Sequence, residues 1–206
     1  MTDSTGERLP PNEGLQSAVS RIASVRNRKL MFVGNGASAA IASHMATDFW
    51  KNAGVPAVAF NDSSLLTAIG NDLGYRHVFE KPIQFFGQRD DILIAISSSG
   101  QSENILRAVF AAQELGVYII SLSGFKEENP LRGMGHLNFY VPSMFYGLVE
   151  VAHHAICHFV VDKLCAKKYS ETEESHLQGV VPKSEVKEIS PRHTPLESAK
   201  VVDVSE

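Results

Sequence analysis

The sequence predicts a doubly wound α/β fold, a three-layer sandwich built on a five-stranded parallel sheet. Two patterns lead there. Short apolar runs alternate with segments of helical periodicity, the order that makes right-handed crossovers and a sheet covered on both faces. Several of those runs stop at turns of glycine and serine, which mark strand ends. The length, 206 residues with 44% hydrophobic side chains, suits one domain with a full core and is short for two.

Residues 1–11 are polar, carry Pro10 and Pro11, and read as a flexible terminus. Leu15, Val19, Ile22 and Val25 recur at helical spacing, so 12–27 is an amphipathic helix. The run Lys29-Leu30-Met31-Phe32-Val33 is a buried strand ending at Gly34. An alanine-rich helix covers 37–53, and 56–60 is the second strand. Segments 63–69 and 75–86 are helical. Ile92 to Ile96 is the third strand, 102–115 a helix and 117–122 the fourth strand. A weaker fifth strand covers 137–141, and a long helix covers 145–167. The folded domain therefore spans 12–168. Beyond Tyr169 there is no aromatic residue, and Glu, Ser, Lys and Pro dominate. Such a segment cannot bury enough apolar surface to offset the entropy of ordering, so 169–206 is predicted to be a disordered polar tail.

Composition excludes several classes. The net charge is −4 and no basic patch marks a nucleic-acid partner. No apolar run reaches membrane length, and the first residues, MTDSTGERLPPNEG, lack the apolar core of a secretion signal. Cys157 and Cys165 lie eight apart in one helical pattern. Eight residues rise roughly 12 Å, too far for a disulfide. A reduced, cytoplasmic protein is the simplest reading.

The chemistry concentrates where the third strand ends. Ile92 to Ile96 is followed by Ser97, Ser98, Ser99, Gly100, Gln101 and Ser102, and then by a helix. Ligands of open parallel sheets bind outside the carboxyl ends of strands. Hydroxyls placed beside the unpaired amides and positive dipole of a helix start make an anion cradle, and phosphate is the usual guest. The plainer alternative is a serine that only caps its helix. A second turn, Gly34-Asn35-Gly36-Ala37-Ser38, presents backbone and Ser38 to the same ligand. It is not a dinucleotide fingerprint, and no Walker loop is present.

Two helices carry the ionisable candidates. His44 and Asp48 are four apart and share one face. Glu150, His154 and His158 repeat every four residues on the last helix, with His153 beside them. Histidines among valines are either satisfied core residues or ligands. Two histidines and two carboxylates from two helices suit a divalent metal such as zinc.

The segments GNGASAAIASHMATDF, LLTAIGNDLGY and ILIAISSSGQSENILRAV, followed by the His-rich last helix, resemble the SIS (sugar isomerase) domain family, in its phosphoheptose isomerase branch. The resemblance covers about residues 12–167. It implies a phosphosugar-binding domain with the phosphate held by the serine loop. It implies interconversion of sedoheptulose 7-phosphate and D-glycero-D-manno-heptose 7-phosphate, for lipopolysaccharide or capsule. It also implies a homotetramer with sites built between subunits. Zinc in that branch is held by His and Glu on one helix, and by Gln and His on the last. Matched by position, these are His44, Asp48, Glu150 and His158 here, so two of the four residue types differ. Asn35-Gly36 matches the branch's Asn-Gly turn, and Asn71-Asp72 its pair near the substrate.

An aldose–ketose isomerase moves a proton between adjacent carbons through an enediol. Asp48 is the first candidate for the base and Glu150 the rival, with His158 as acid and ligand. A carboxylate cannot easily be tight ligand and free base together. Two other readings stay open on the sequence alone: a non-catalytic phosphosugar-binding or regulatory protein, and an isomerase of another surface-polysaccharide sugar phosphate.

Overall fold

The computed structural model describes residues 1–24 and 28–177. The elements run β1 (Thr2–Asp3), α1 (Pro11–Ala23), β2 (Leu30–Gly34), α2 (Ala37–Asp48), β3 (Ala57–Ala59) and α3 (Ser63–Asp72). They continue with α4 (Glu80–Phe86), β4 (Ile92–Ser97), α5 (Glu103–Glu114), β5 (Tyr118–Gly124), β6 (Leu137–Val141) and α6 (Tyr146–Leu177).

The sheet order is β1-β6-β5-β4-β2-β3. The five strands β2 to β6 are parallel, as the sequence predicts. The sixth strand corrects that count: Thr2–Asp3 pairs antiparallel with Leu137 and Asn138 of β6. Two polar residues carry no periodic signal. The unpaired backbone edge of β6 decides the pairing, and Asn138 Nδ2 reinforces it by donating to the Asp3 carbonyl at 3.3 Å.

Alternation along the strands splits the core into two layers. Leu30, Phe32, Ile92, Ile94, Ile96, Ile120 and Leu122 face α1, α2 and α6. Met31, Val33, Leu93, Ala95 and Ile119 face α3, α4 and α5. This period-two division of fully apolar strands is what a doubly covered parallel sheet requires.

Three boundaries differ from the sequence reading. The 37–53 helix is α-helical only to Asp48 and widens into a π-turn over Phe49–Ala53, closed by Gly54 at φ +72°. The expected 63–69 helix runs on to Asp72, so Asn71 and Asp72 complete α3. The last helix runs on to Leu177, ten residues past its expected end. Residues 178–206 of the expected tail, and 25–27 of the first helix, lie outside the described residues.

Candidate active site

Strand order creates the site. From β2 the chain crosses to β3 on one side, then returns to place β4 on the other. The reversal leaves a crevice between the carboxyl ends of β2 and β4, the usual ligand position in open α/β sheets. Gly34 pairs in register with Ile96, so the Asn35–Ser38 turn and the serine loop open into the same crevice.

That crevice holds a cavity of about 130 Å³ lined by Asn35, Ser38, Ser97, Ser98, Ser99, Ser102, Tyr146 and Glu150. It is smaller than a typical small-molecule pocket of roughly 300–1,000 Å³, so it fits an anionic end group. Gly100 sits at φ +62° and turns the loop back. Its amide donates to the Ser97 carbonyl at 3.0 Å and Ser97 Oγ at 3.2 Å. Ser98 Oγ is buried and without a partner among the described residues. Ser102 is the N-cap of α5 by position, yet its side chain makes no capping bond. Its hydroxyl meets Ser97 Oγ at 3.4 Å instead. One hydroxyl without a partner and one spent only on a neighbouring serine, beside a helix start, favour the anion cradle over the simple cap.

Other predicted residues have different surroundings. Asn35 exchanges two 2.9 Å hydrogen bonds with Asn104 and accepts a third from Tyr75 Oη at 3.1 Å, which fixes its amide at the cavity wall. Gly36, at φ +54° and ψ −125°, holds a backbone shape reserved for glycine just before α2. Gln101 is exposed, and its backbone N–H donates to Ser99 Oγ at 3.3 Å. Asn71 and Asp72 are exposed, bonded to each other at 2.8 Å, and line none of these cavities within the chain.

The histidines form the second half of the site. His44 of α2 and His154 and His158 of α6 present ligand-capable atoms that all lie within 4.8 Å of one another. Ring centroids are 5.2 Å apart for His44–His154, 5.4 Å for His44–His158 and 4.5 Å for His154–His158. Asp48 leans on two of them, with Oδ2 3.4 Å from His44 Nε2 and 3.9 Å from His158 Nδ1. Burial first, and then the neighbouring His158 and His44, hold His154 below the ordinary imidazole range, which keeps it neutral near pH 7. His154 Nε2 is buried with no partner among the described residues. A divalent metal is the cofactor that the resemblance implies, and this donor set fits one. Neutral imidazoles and a carboxylate are zinc-type ligands, and the orphaned nitrogen lacks only an acceptor of its lone pair.

His153 separates from this group. It is fully buried, and Nε2–H donates to the Ser123 carbonyl at 3.1 Å. Burial pushes its pKa down to about 4. It is a core residue that ties α6 to the end of β5.

Glu150 joins the two halves. It lines the serine cavity and also a neighbouring one of about 360 Å³ that contains Ala40, Ile41, His44 and His154. Another cavity of about 440 Å³, around Arg21, Tyr118 and His136, lies at the amino ends of the strands and contains none of the predicted site residues.

Residues the sequence reading missed are Tyr146, Asn104, Tyr75 and Asn129. Asn129 is buried and donates from one amide to the carbonyls of Gly124 and Lys126 and to Ser123 Oγ, bracing the loop against Gly100. The Asn129-Pro130 pair was a visible turn signal, but its long-range role was not.

Known proteins are similar to this chain in sequence and in fold. The SIS domain family matches residues 11–124. A phosphoheptose isomerase of Nitratidesulfovibrio vulgaris strain Miyazaki F is 48% identical over 105 residues, 48% of this chain and half of that relative's length. Another, from strain Hildenborough, is 36% identical over 155 residues, 68% of this chain and 74% of the relative. The solved phosphoheptose isomerase of Neisseria gonorrhoeae superposes with a TM-score of 0.69 at 33% identity, over 74% of this chain and 86% of that one. The chain belongs to the SIS domain family, in its phosphoheptose isomerase branch, and is an isomerase of phosphosugars.

Proposed function

We propose that the protein interconverts sedoheptulose 7-phosphate and D-glycero-D-manno-heptose 7-phosphate. The observation that carries this reading is Glu150, which borders both the serine cavity and the histidine cavity. A phosphate held at one end then presents its sugar chain to proton-transfer groups at the other. The serine hydroxyls and the amides of the α5 start hold the phosphate and fix the sugar's register. Glu150 faces the cavity and takes the proton from the carbon next to the carbonyl. The same carboxyl returns it to the neighbouring carbon, so the proton count closes. His158 donates to the carbonyl oxygen as the enediol forms, and that proton stays on the product hydroxyl; His158 is reprotonated by the hydroxyl of the neighbouring carbon as that carbon becomes the product carbonyl. Neither Asp48, the first candidate on the sequence, nor His158 lines either cavity; His158 adjoins the site through His44 and His154, and Asp48 orients His44 and His158. A divalent metal, zinc by family resemblance, would polarise the sugar carbonyl when bound.

The reading extends to assembly and place. Phe145, Tyr146, Leu148 and Val151, at the start of α6, are 61–73% exposed. An apolar patch beside a ligand cavity supports subunit contacts, and a homotetramer is the expected form. Among the described residues no helix is long and apolar enough to cross a membrane. Cys157 and Cys165 are both free, in keeping with a cytoplasmic setting; a role in surface-polysaccharide synthesis is what the family resemblance implies.

The test is incubation with sedoheptulose 7-phosphate in deuterated water, followed by NMR. Aldoheptose formation with deuterium at C2, abolished by Glu150→Gln, is the expected result. Exchange and turnover that persist in Glu150→Gln but vanish in Asp48→Asn would return the base to Asp48. Absence of turnover with metal present would overturn the heptose assignment.

A further inference from the structure

We infer that His154 is a metal ligand of this protein, together with His44 and His158, and that Glu150 is not. This deepens the isomerase reading and rests on it for the site's purpose, though not for the ligand set. Positional resemblance puts the ligands at His44, Asp48, Glu150 and His158. The geometry groups the residues differently.

His154 and His158 are one helical turn apart on the same face of α6. Glu150 stands two turns from His158, roughly 12 Å of helix rise. His44 approaches from α2 and packs its ring on both His154 and His158. Among the described residues these three histidines form a candidate metal group, and Glu150 is not part of it. Glu150 lines the cavity shared with His44 and His154 but also the serine cavity, to which none of the three histidines contributes.

The orphaned nitrogen is an independent sign. A buried imidazole nitrogen without a partner is destabilising, and native interiors rarely keep one. His154 Nε2 is such an atom, in a side chain that has water-accessible neighbours on both sides of the cluster. His153 Nδ1 is orphaned too, but His153 spends its Nε2 on the Ser123 carbonyl and stands outside the cluster, whereas His154 is grouped with His44 and His158. A ligand needs an electron-pair acceptor.

The reassignment also separates two jobs that one carboxylate cannot hold together. With three imidazoles as ligands, Asp48 supports the rings from outside, the usual place for a carboxylate behind metal-bound histidine. Glu150 is then left unligated in the substrate cavity.

The test uses the full chain, stripped with a chelator and dialysed. Cobalt(II) binding is followed by visible absorption, and zinc affinity by competition with a chromophoric chelator. His154→Ala and His154→Gln should each weaken both metals about 100-fold or more, beyond the 10- to 100-fold that loss of an outer partner brings. Far-UV circular dichroism should show both variants folded. Asp48→Asn should weaken binding about 10- to 100-fold. Glu150→Gln should leave affinity and the cobalt spectrum unchanged. Wild-type affinity in the folded His154 variants would overturn the inference, as would a loss in Glu150→Gln equal to theirs. A wild-type chain that takes up neither metal overturns it too. Metal binding without heptose turnover upholds the ligand set and sinks only the substrate assignment.

Discussion

Replacing Gly100 by alanine tests how the serine loop is held. At φ +62° a β-carbon costs roughly 1–2 kcal/mol from local sterics alone. The same β-carbon would lie 2.8 Å from Asn129 Cβ and closer still to its amide group. Asn129 therefore has to move. Moving it gives up hydrogen bonds to the carbonyls of Gly124 and Lys126 and from the Arg132 amide. At about 1 kcal/mol each, partial loss of these adds roughly 2–3 kcal/mol. Gly100→Ala should cost about 4 kcal/mol in all. Gly54→Ala is the control. It has a similar backbone, φ +72°, but its β-carbon would meet only the flexible end of Lys168, at 3.4 Å. It should cost about 1–2 kcal/mol. Urea unfolding of both variants measures the difference. Equal costs at the two positions would refute the idea that Asn129 braces the loop.

Two further outcomes follow from the same geometry. Ser102→Ala should raise KM for the sugar phosphate roughly tenfold or more, the scale of one hydrogen bond to a charged group, with stability nearly unchanged. A loss of about 1 kcal/mol of stability with KM intact would instead restore the simple helix cap. His153 should make the chelated protein acid-sensitive: folded it titrates at about 4, below the ordinary 6.5, so the unfolded chain binds the proton first. Its contribution is complete above about pH 6.5 and is lost as pH falls toward 4. Between pH 7 and 5 this amounts to about 2 kcal/mol, which His153→Gln should remove from the pH dependence of urea unfolding. Parallel pH profiles in wild type and variant would count against a neutral buried imidazole.

The strands and the serine loop were legible because they are local. Ile92 to Ile96 is a continuous apolar run, and the hydroxyls that follow it can only sit at a strand end. The spacing of Glu150, His154 and His158 likewise put them on one helix face before any packing was known. Sequence alone therefore determined the α/β class, the parallel strands and the serine loop at a strand's carboxyl end. It also determined which two helices carry the ionisable groups.

It could not rank neighbours. His153 and His154 are adjacent and chemically identical, but their side chains leave the helix about 100° apart. Only the position of β5 makes one a core residue, and only the approach of α2 makes the other a cluster member. The pairing of Thr2–Asp3 and the bracing of Gly100 by Asn129 depend on contacts distant in sequence or on exact backbone direction. The crevice itself comes from strand order, because β2 lies between β3 and β4. Periodicity records which face of an element is buried, whereas a site depends on which elements meet, and that is settled only when the chain packs.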